Sequence, residues 1–223
     1  AAFQLGLVGV AQFLPLLLLT LVVGWTADRI DRRWIARCSV LLEAGCATAL
    51  AILGWTDTTT LPVLFLIAAL LGVARAFASP ALSALAPNLV PTAVLPTAIA
   101  ASSIAWQTGA ILGPAAGGYL YAAGHGAPYT VAAVLCGLSF LSLMAIRPIE
   151  RTALDTSVHP WKQMIDGLRY VRQHRLVLGA ISLDLFAVLL GGAPAMLPIF
   201  ARDILHIGAA GLGHLRAAPA VGA

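Results

Sequence analysis

Apolar residues in this sequence run in long unbroken blocks. Stretches such as Leu16-Leu17-Leu18-Leu19 and Leu64-Phe65-Leu66-Ile67 do not alternate with period two, which argues against a closed β-barrel. The blocks are also longer than a buried helix of a soluble domain requires, and a bilayer core of roughly 30 Å calls for about 17–25 apolar residues per helix. Cut at charges and turn residues, the chain gives six complete spans, approximately 5–23, 36–54, 61–82, 97–122, 128–146 and 176–200, with a seventh beginning near 211. The fourth block is rich in Ala, Ser and Gly, so its limits are the softest. The pattern predicts an all-α membrane protein, because only helices and closed barrels satisfy their backbone inside lipid.

Composition agrees. Hydrophobic residues make up 60% of the chain and charged residues 10%, against roughly 45–50% and about 25% in soluble domains. Too few polar residues remain to cover a water-facing surface, so the lipid bilayer is the first expected partner. The start, Ala1-Ala2-Phe3, has neither an initiator Met nor a basic region, so residues 1–23 do not read as a signal peptide. From about Gly211 to Ala223 an apolar stretch starts and stops, and the sequence reads as a piece of a longer protein. Cys38, Cys46 and Cys136 lie in or beside apolar spans without metal-ligand spacing and read as small packing residues. Neither a cofactor nor a nucleic-acid partner is expected.

The placement of the +4 net charge matters more than its size. Arg29, Arg32, Arg33 and Arg37 fill the first connection, and Arg147, Arg151, Lys162, Arg169, Arg172 and Arg175 the connection 147–175. Connections 55–60 and 123–127 carry no Lys or Arg, and Arg202 is the clear exception outside. Basic residues gather on the cytosolic side of short loops, which predicts cytosolic loops 24–35 and 147–175. The organisation expected is a half bundle at 1–146, a linker at 147–175, and the start of a second half at 176–223. In the linker, Trp161, Met164, Ile165, Leu168 and Val171 recur at helical spacing after Pro160, as in an amphipathic helix lying on the membrane surface; a solvated linker is the alternative.

Three segments carry candidate chemistry. Gly24-Trp25-Thr26-Ala27-Asp28-Arg29-Ile30-Asp31-Arg32-Arg33 places a small residue at a helix end, an acid one turn later, and a tight reversal packed with guanidinium groups. Asp28 can accept bidentate bonds from Arg or face a helix N-terminus, so such a junction can break and reform; a plain orientation signal is the alternative. In Gly109-Ala110-Ile111-Leu112-Gly113-Pro114-Ala115-Ala116-Gly117-Gly118, glycines four apart make a flat face for close packing and Pro114 permits a bend. Third, ionisable groups stand inside spans: Arg75, Glu43 and Asp184. Each is a functional candidate by its depth, with snorkelling for Arg75 and structural pairing for the acids as alternatives. Asp184 is the favoured acid, since Gly191-Gly192, Pro194 and Pro198 follow it in a breakable helix.

The first segment resembles the signature loop of the major facilitator superfamily, Gly-x-x-x-Asp-Arg-x-Gly-Arg-Arg, between that family's second and third helices. Gly24, Asp28, Arg29, Arg32 and Arg33 match, while Asp31 replaces the second glycine. Asp tolerates left-handed backbone better than most residues and could keep the turn on that account. The second segment resembles the Gly-x-x-x-Gly-Pro-x-x-Gly-Gly motif in the fifth helix of superfamily antiporters, through Gly109, Gly113, Pro114, Gly117 and Gly118. Arg75 resembles an arginine that superfamily exporters carry in the fourth helix and associate with proton coupling, with Ser79 where a glycine is usual. Segments 79–91, 183–186 and 198–203 resemble the branch that includes the enterobactin exporter. The resemblance implies a truncated superfamily bundle, from helix 2 to the start of helix 8 of twelve, in a bacterial inner membrane. It further implies a proton-coupled exporter of a small siderophore-like or drug-like molecule that works by alternating access, its fragment inactive alone. No Gly-x-x-x-x-Gly-Lys loop is present, so ATP is not the direct energy source within this chain. A membrane anchor or receptor is the alternative from another class. An intramembrane enzyme is not expected: His125, His159, His174, His206 and His214 lie in connections or flank the last segment, and none shares a helix with Ser102 and Ser103.

Overall fold

A computed structural model describes residues 2–146, 165, 169–190 and 193–222; the side chains of Asp28 and Arg29 lie outside the described set. The main helices are α1 (Ala2–Arg29), α2 (Arg32–Thr56), α3 (Leu61–Leu89), α4 (Leu95–Ala123), α5 (Ala127–Met144), α6 (Arg175–Leu190), α7 (Ala193–Ile199) and α8 (Ala209–Val221). No strand occurs among the described residues. Helix starts follow local chemistry: Asp31 caps α2 through its side chain, and α3, α4 and α5 each carry Pro in the first turn, where its missing N–H costs nothing.

The chain forms two compact units, Ala1–Glu150 with Ile207–Ala223, and Arg151–His206. In the first, α3 packs on α1 and α2, α2 packs on α5, and α8 packs on α4. The contacts are close because small residues make them. A Cβ on Gly72 of α3 would stand 2.2 Å from the Gln12 carbonyl oxygen of α1, and one on Gly54 would stand 2.8 Å from the Gly126 backbone. Alanine dominates the buried set (Ala36, Ala47, Ala51, Ala68, Ala74, Ala78 and Ala81 among them), whereas leucines face outward, Leu18 at 66% and Leu141 at 64% exposure. A water-soluble domain would hide these leucines; here they suit a hydrocarbon surround. Hydroxyls within the helices bond back to carbonyls four residues earlier, as Ser39 does to Ile35 and Ser103 to Ile99, so they need no water.

Among the described residues three helices combine the length and mean hydropathy of a membrane span, Arg32–Thr56, Leu61–Leu85 and Ala127–Met144. Two more have the length: α1 with 28 residues, containing the apolar stretch Gly6–Leu19, and α4 with 29. Thr, Ser, Gln and Gly lower the hydropathy of α4, which carries no charged residue. Of the span expected at 176–200, every described residue is helical. It consists of α6 and α7, followed by one π turn at Phe200–Ile204; the intervening Gly191-Gly192 lies outside the described residues. The amphipathic helix expected from Pro160 also lies mostly outside them, with only 165 and 169–172 of that segment described, all helical.

Candidate functional site

The reversal between α1 and α2 takes two residues, Ile30 and Asp31. The Ile30 amide still bonds to the Thr26 carbonyl at 2.8 Å, which closes α1. Asp31 then adopts an extended backbone (φ −61°, ψ 121°), and its carboxylate accepts the Arg33 amide at 3.0 Å. The left-handed geometry expected of Asp31 is therefore absent. The residue serves as a helix N-cap, a task for which Asp is among the best side chains. The Arg33 Nε donates to both carboxylate oxygens, at 3.2 and 3.1 Å, so Asp31, the residue that departs from the signature, forms a local ion pair with one of its guanidinium groups. Arg32 is half-buried, and a Cβ added at Gly24 would meet nothing within 4 Å.

One turn further on lies a residue that orientation statistics had grouped with the loop. Arg37 is buried, 8% exposed, and its guanidinium sits 5.3 Å from the centre of the Trp34 ring. It donates to the Leu143 carbonyl through Nε at 3.1 Å and Nη2 at 2.9 Å, and to the Met144 and Ile146 carbonyls at 3.3 Å each. These carbonyls end α5, where helix geometry leaves acceptors unsatisfied and negative. Beneath the guanidinium, Ile35, Ala36, Val40, Ala81, Leu85 and Leu143 pack into the cluster where α2, α3 and α5 meet. The available sequence signal is a cation set in an otherwise apolar stretch beside Trp34.

The three charges expected at depth fall into two groups. Glu43 is half-buried on α2, which packs on α3, and Arg75 is exposed on α3. The helix that carries Glu43, α2, also packs on α5, which carries Cys136. Asp184 is exposed on α6, in the other compact unit. Among the described residues no group of three His, Cys, Asp or Glu side chains could hold a metal.

The glycine-rich segment divides by face. A Cβ at Gly109, Gly113 or Gly117 would meet nothing within 4 Å. On the other face α4 runs antiparallel against α8. A Cβ on Gly118 would lie 2.5 Å from the Ala209 carbonyl oxygen, and one on Gly213 would lie 2.5 Å from the Pro114 carbonyl oxygen. The Gln107 side-chain amide donates to the Ala220 carbonyl, and the Tyr119 hydroxyl meets His214 Nε2 at 3.1 Å. Pro114 and Gly118 thus belong to a packed seam, while the other three glycines of the motif leave an open groove.

Comparison with known proteins agrees with this architecture. The family model of the Major Facilitator Superfamily matches the chain over residues 1–223. The chain is also similar to an uncharacterized MFS-type transporter, y4rN, of Sinorhizobium fredii, with 24% identity over 192 residues, 85% of this chain and 47% of that protein. It therefore spans about half the length of the curated relative it matches.

Proposed function

Because the chain belongs to the Major Facilitator Superfamily, we propose that it is the first part of a secondary transporter that exports a small molecule in exchange for protons by alternating access. The intact protein sits as a multi-pass bundle in a bacterial inner membrane, with connections 24–35 and 147–175 in the cytosol. Two halves rock about a central site, and the Gly24–Arg33 junction locks the cytosolic side through Asp28 and its neighbouring guanidinium groups. The open glycine face and the α4–α8 seam give the closeness and bending that the cycle needs. Siderophore-like or drug-like molecules are the substrate class, in keeping with the resemblance of 79–91, 183–186 and 198–203 to an exporter branch.

The observation that supports proton coupling is an acid, Glu43, and a base, Arg75, carried on two apolar helices that pack together. An ionisable residue at the centre of a membrane helix costs about 2.5–3.5 kcal/mol on insertion scales, so an acid and a base on such packed helices are candidates for function. In this cycle the Glu43 carboxyl takes up and releases the proton, and Arg75 on the neighbouring helix supplies the compensating charge. Asp184 is the second proton-carrying candidate, contributed by the second half.

The test is proton-coupled efflux by the full-length parent in everted vesicles, read as collapse of an imposed pH gradient when a catecholate siderophore, a macrolide or a hydrophobic cation is added. Glu43→Gln, Asp184→Asn and Asp28→Asn are assayed beside the parent. Coupling is expected to be lost in Glu43→Gln or Asp184→Asn, and turnover to fall in Asp28→Asn. Unchanged gradient collapse in all three variants would remove the assignment.

A further inference from the structure

Orientation in the membrane needs only positive charge in a loop, and Arg29, Arg32 and Arg33 already supply it. Arg37 does something that this task does not require. It is turned into the protein and makes four hydrogen bonds to three carbonyls at the far end of α5, 106 to 109 residues away in sequence. A buried cation is costly unless its donors are met, and these acceptors sit at the negative end of a helix. A lysine would offer its three donors from a single compact nitrogen; the planar fork reaches several oxygens at once, and the Trp34 ring supports it from one side.

The two ends it joins matter. Arg37 stands one turn after Arg33 and the Asp31 cap that finishes the signature turn. Ile146 is the last described residue before the 147–175 connection. We propose that Arg37 is a positioning residue, a clasp that binds the signature turn to the start of the inter-half connection so that the two travel as one body through the cycle. This rests on the alternating-access function above. It gives the cytosolic lock a direct mechanical link to the linker.

The experiment uses the full-length parent in lipid nanodiscs, with its native cysteines replaced and spin labels placed at the exposed positions Ile30 and Ala145. A second preparation carries labels at Ile30 and Leu176. Wild-type protein is expected to give one narrow 30–145 distance at acidic and at alkaline pH, while the 30–176 distance divides into two populations. Arg37→Lys preserves the positive charge, so a residue acting only as an orientation signal would leave every distance unchanged. The clasp predicts loss of the single narrow 30–145 distance in Arg37→Lys, more completely in Arg37→Met, with altered weights of the 30–176 populations. A narrow 30–145 distance in both variants, or in Arg37→Lys alone where Arg37→Met does not accumulate, overturns the proposal. A single 30–176 distance under all conditions would remove alternating access and leave the clasp standing.

Discussion

Asp31 stands where the superfamily signature has a glycine, and its backbone shows why the exchange is tolerated. With φ at −61° no left-handed conformation is needed, and the side chain satisfies an otherwise orphaned helix amide while holding Arg33. Asp31→Ala is expected to lower the stability of the detergent-solubilised parent by about 1 kcal/mol, and Asp31→Gly by only a few tenths, as at other N-caps. Equal melting temperatures for Asp31→Ala and the parent would contradict this. Asp31 shows what was legible at this scale. Its place in a reversal could be read from its neighbours, but its capping role emerges only with the backbone angles. Arg37 was hidden for a different reason. Four arginines within nine residues look alike to a charge count, and the partner carbonyls of Arg37 belong to a helix whose approach no local pattern encodes.

At the level of helices, the α4–α8 seam separates glycines by what surrounds them. Gly118 and Gly213 each face a backbone carbonyl that cannot swing aside, so Gly118→Ala and Gly213→Ala are expected to destabilise the parent by about 1–3 kcal/mol, the usual scale of overpacking. Gly113→Ala meets open space within this chain and is expected to be neutral or stabilising, by up to about 1 kcal/mol from helix propensity. Thermal unfolding of the three variants checks the opposite signs; destabilisation by Gly113→Ala equal to that of Gly118→Ala would dismiss the two-faced motif. The motif was readable as a flat glycine face, but which glycines face α8 depends on rotation of the helix about its own axis. Helix limits diverge for a similar reason. An apolar block ends at its first charge, whereas α1 continues through Asp28 to Arg29, a good helix former whose cation suits the negative end of a helix.

Across the whole molecule, the expected helices along 5–146 were legible because runs of leucine and valine have few other uses. The π turn at Phe200–Ile204 was not, because no apolar pattern tells such a turn from the α-helix it follows. Sidedness is testable directly. Single cysteines at Ile30 and Tyr170 are expected to react with an impermeant maleimide only from the cytosolic side, and cysteines at Asp57 and His125 only from the other. Asp57 and His125 lie 3.3 Å apart across two connections, so they must agree with each other whatever the orientation. Labelling Ile30 and Tyr170 from opposite sides would defeat the topology. The seam, finally, constrains how motion can occur. Gly118 meets Ala209 and Pro114 meets Gly213, and small residues return on α8 every fourth position, at Ala209, Gly213 and Ala217. A slide of one turn, about 5.4 Å, would set Gly118 against Gly213 and Pro114 against Ala217, small against small once more. Such a track favours two stations over a continuum, and behaves as a detent where a smooth face would let the helices drift.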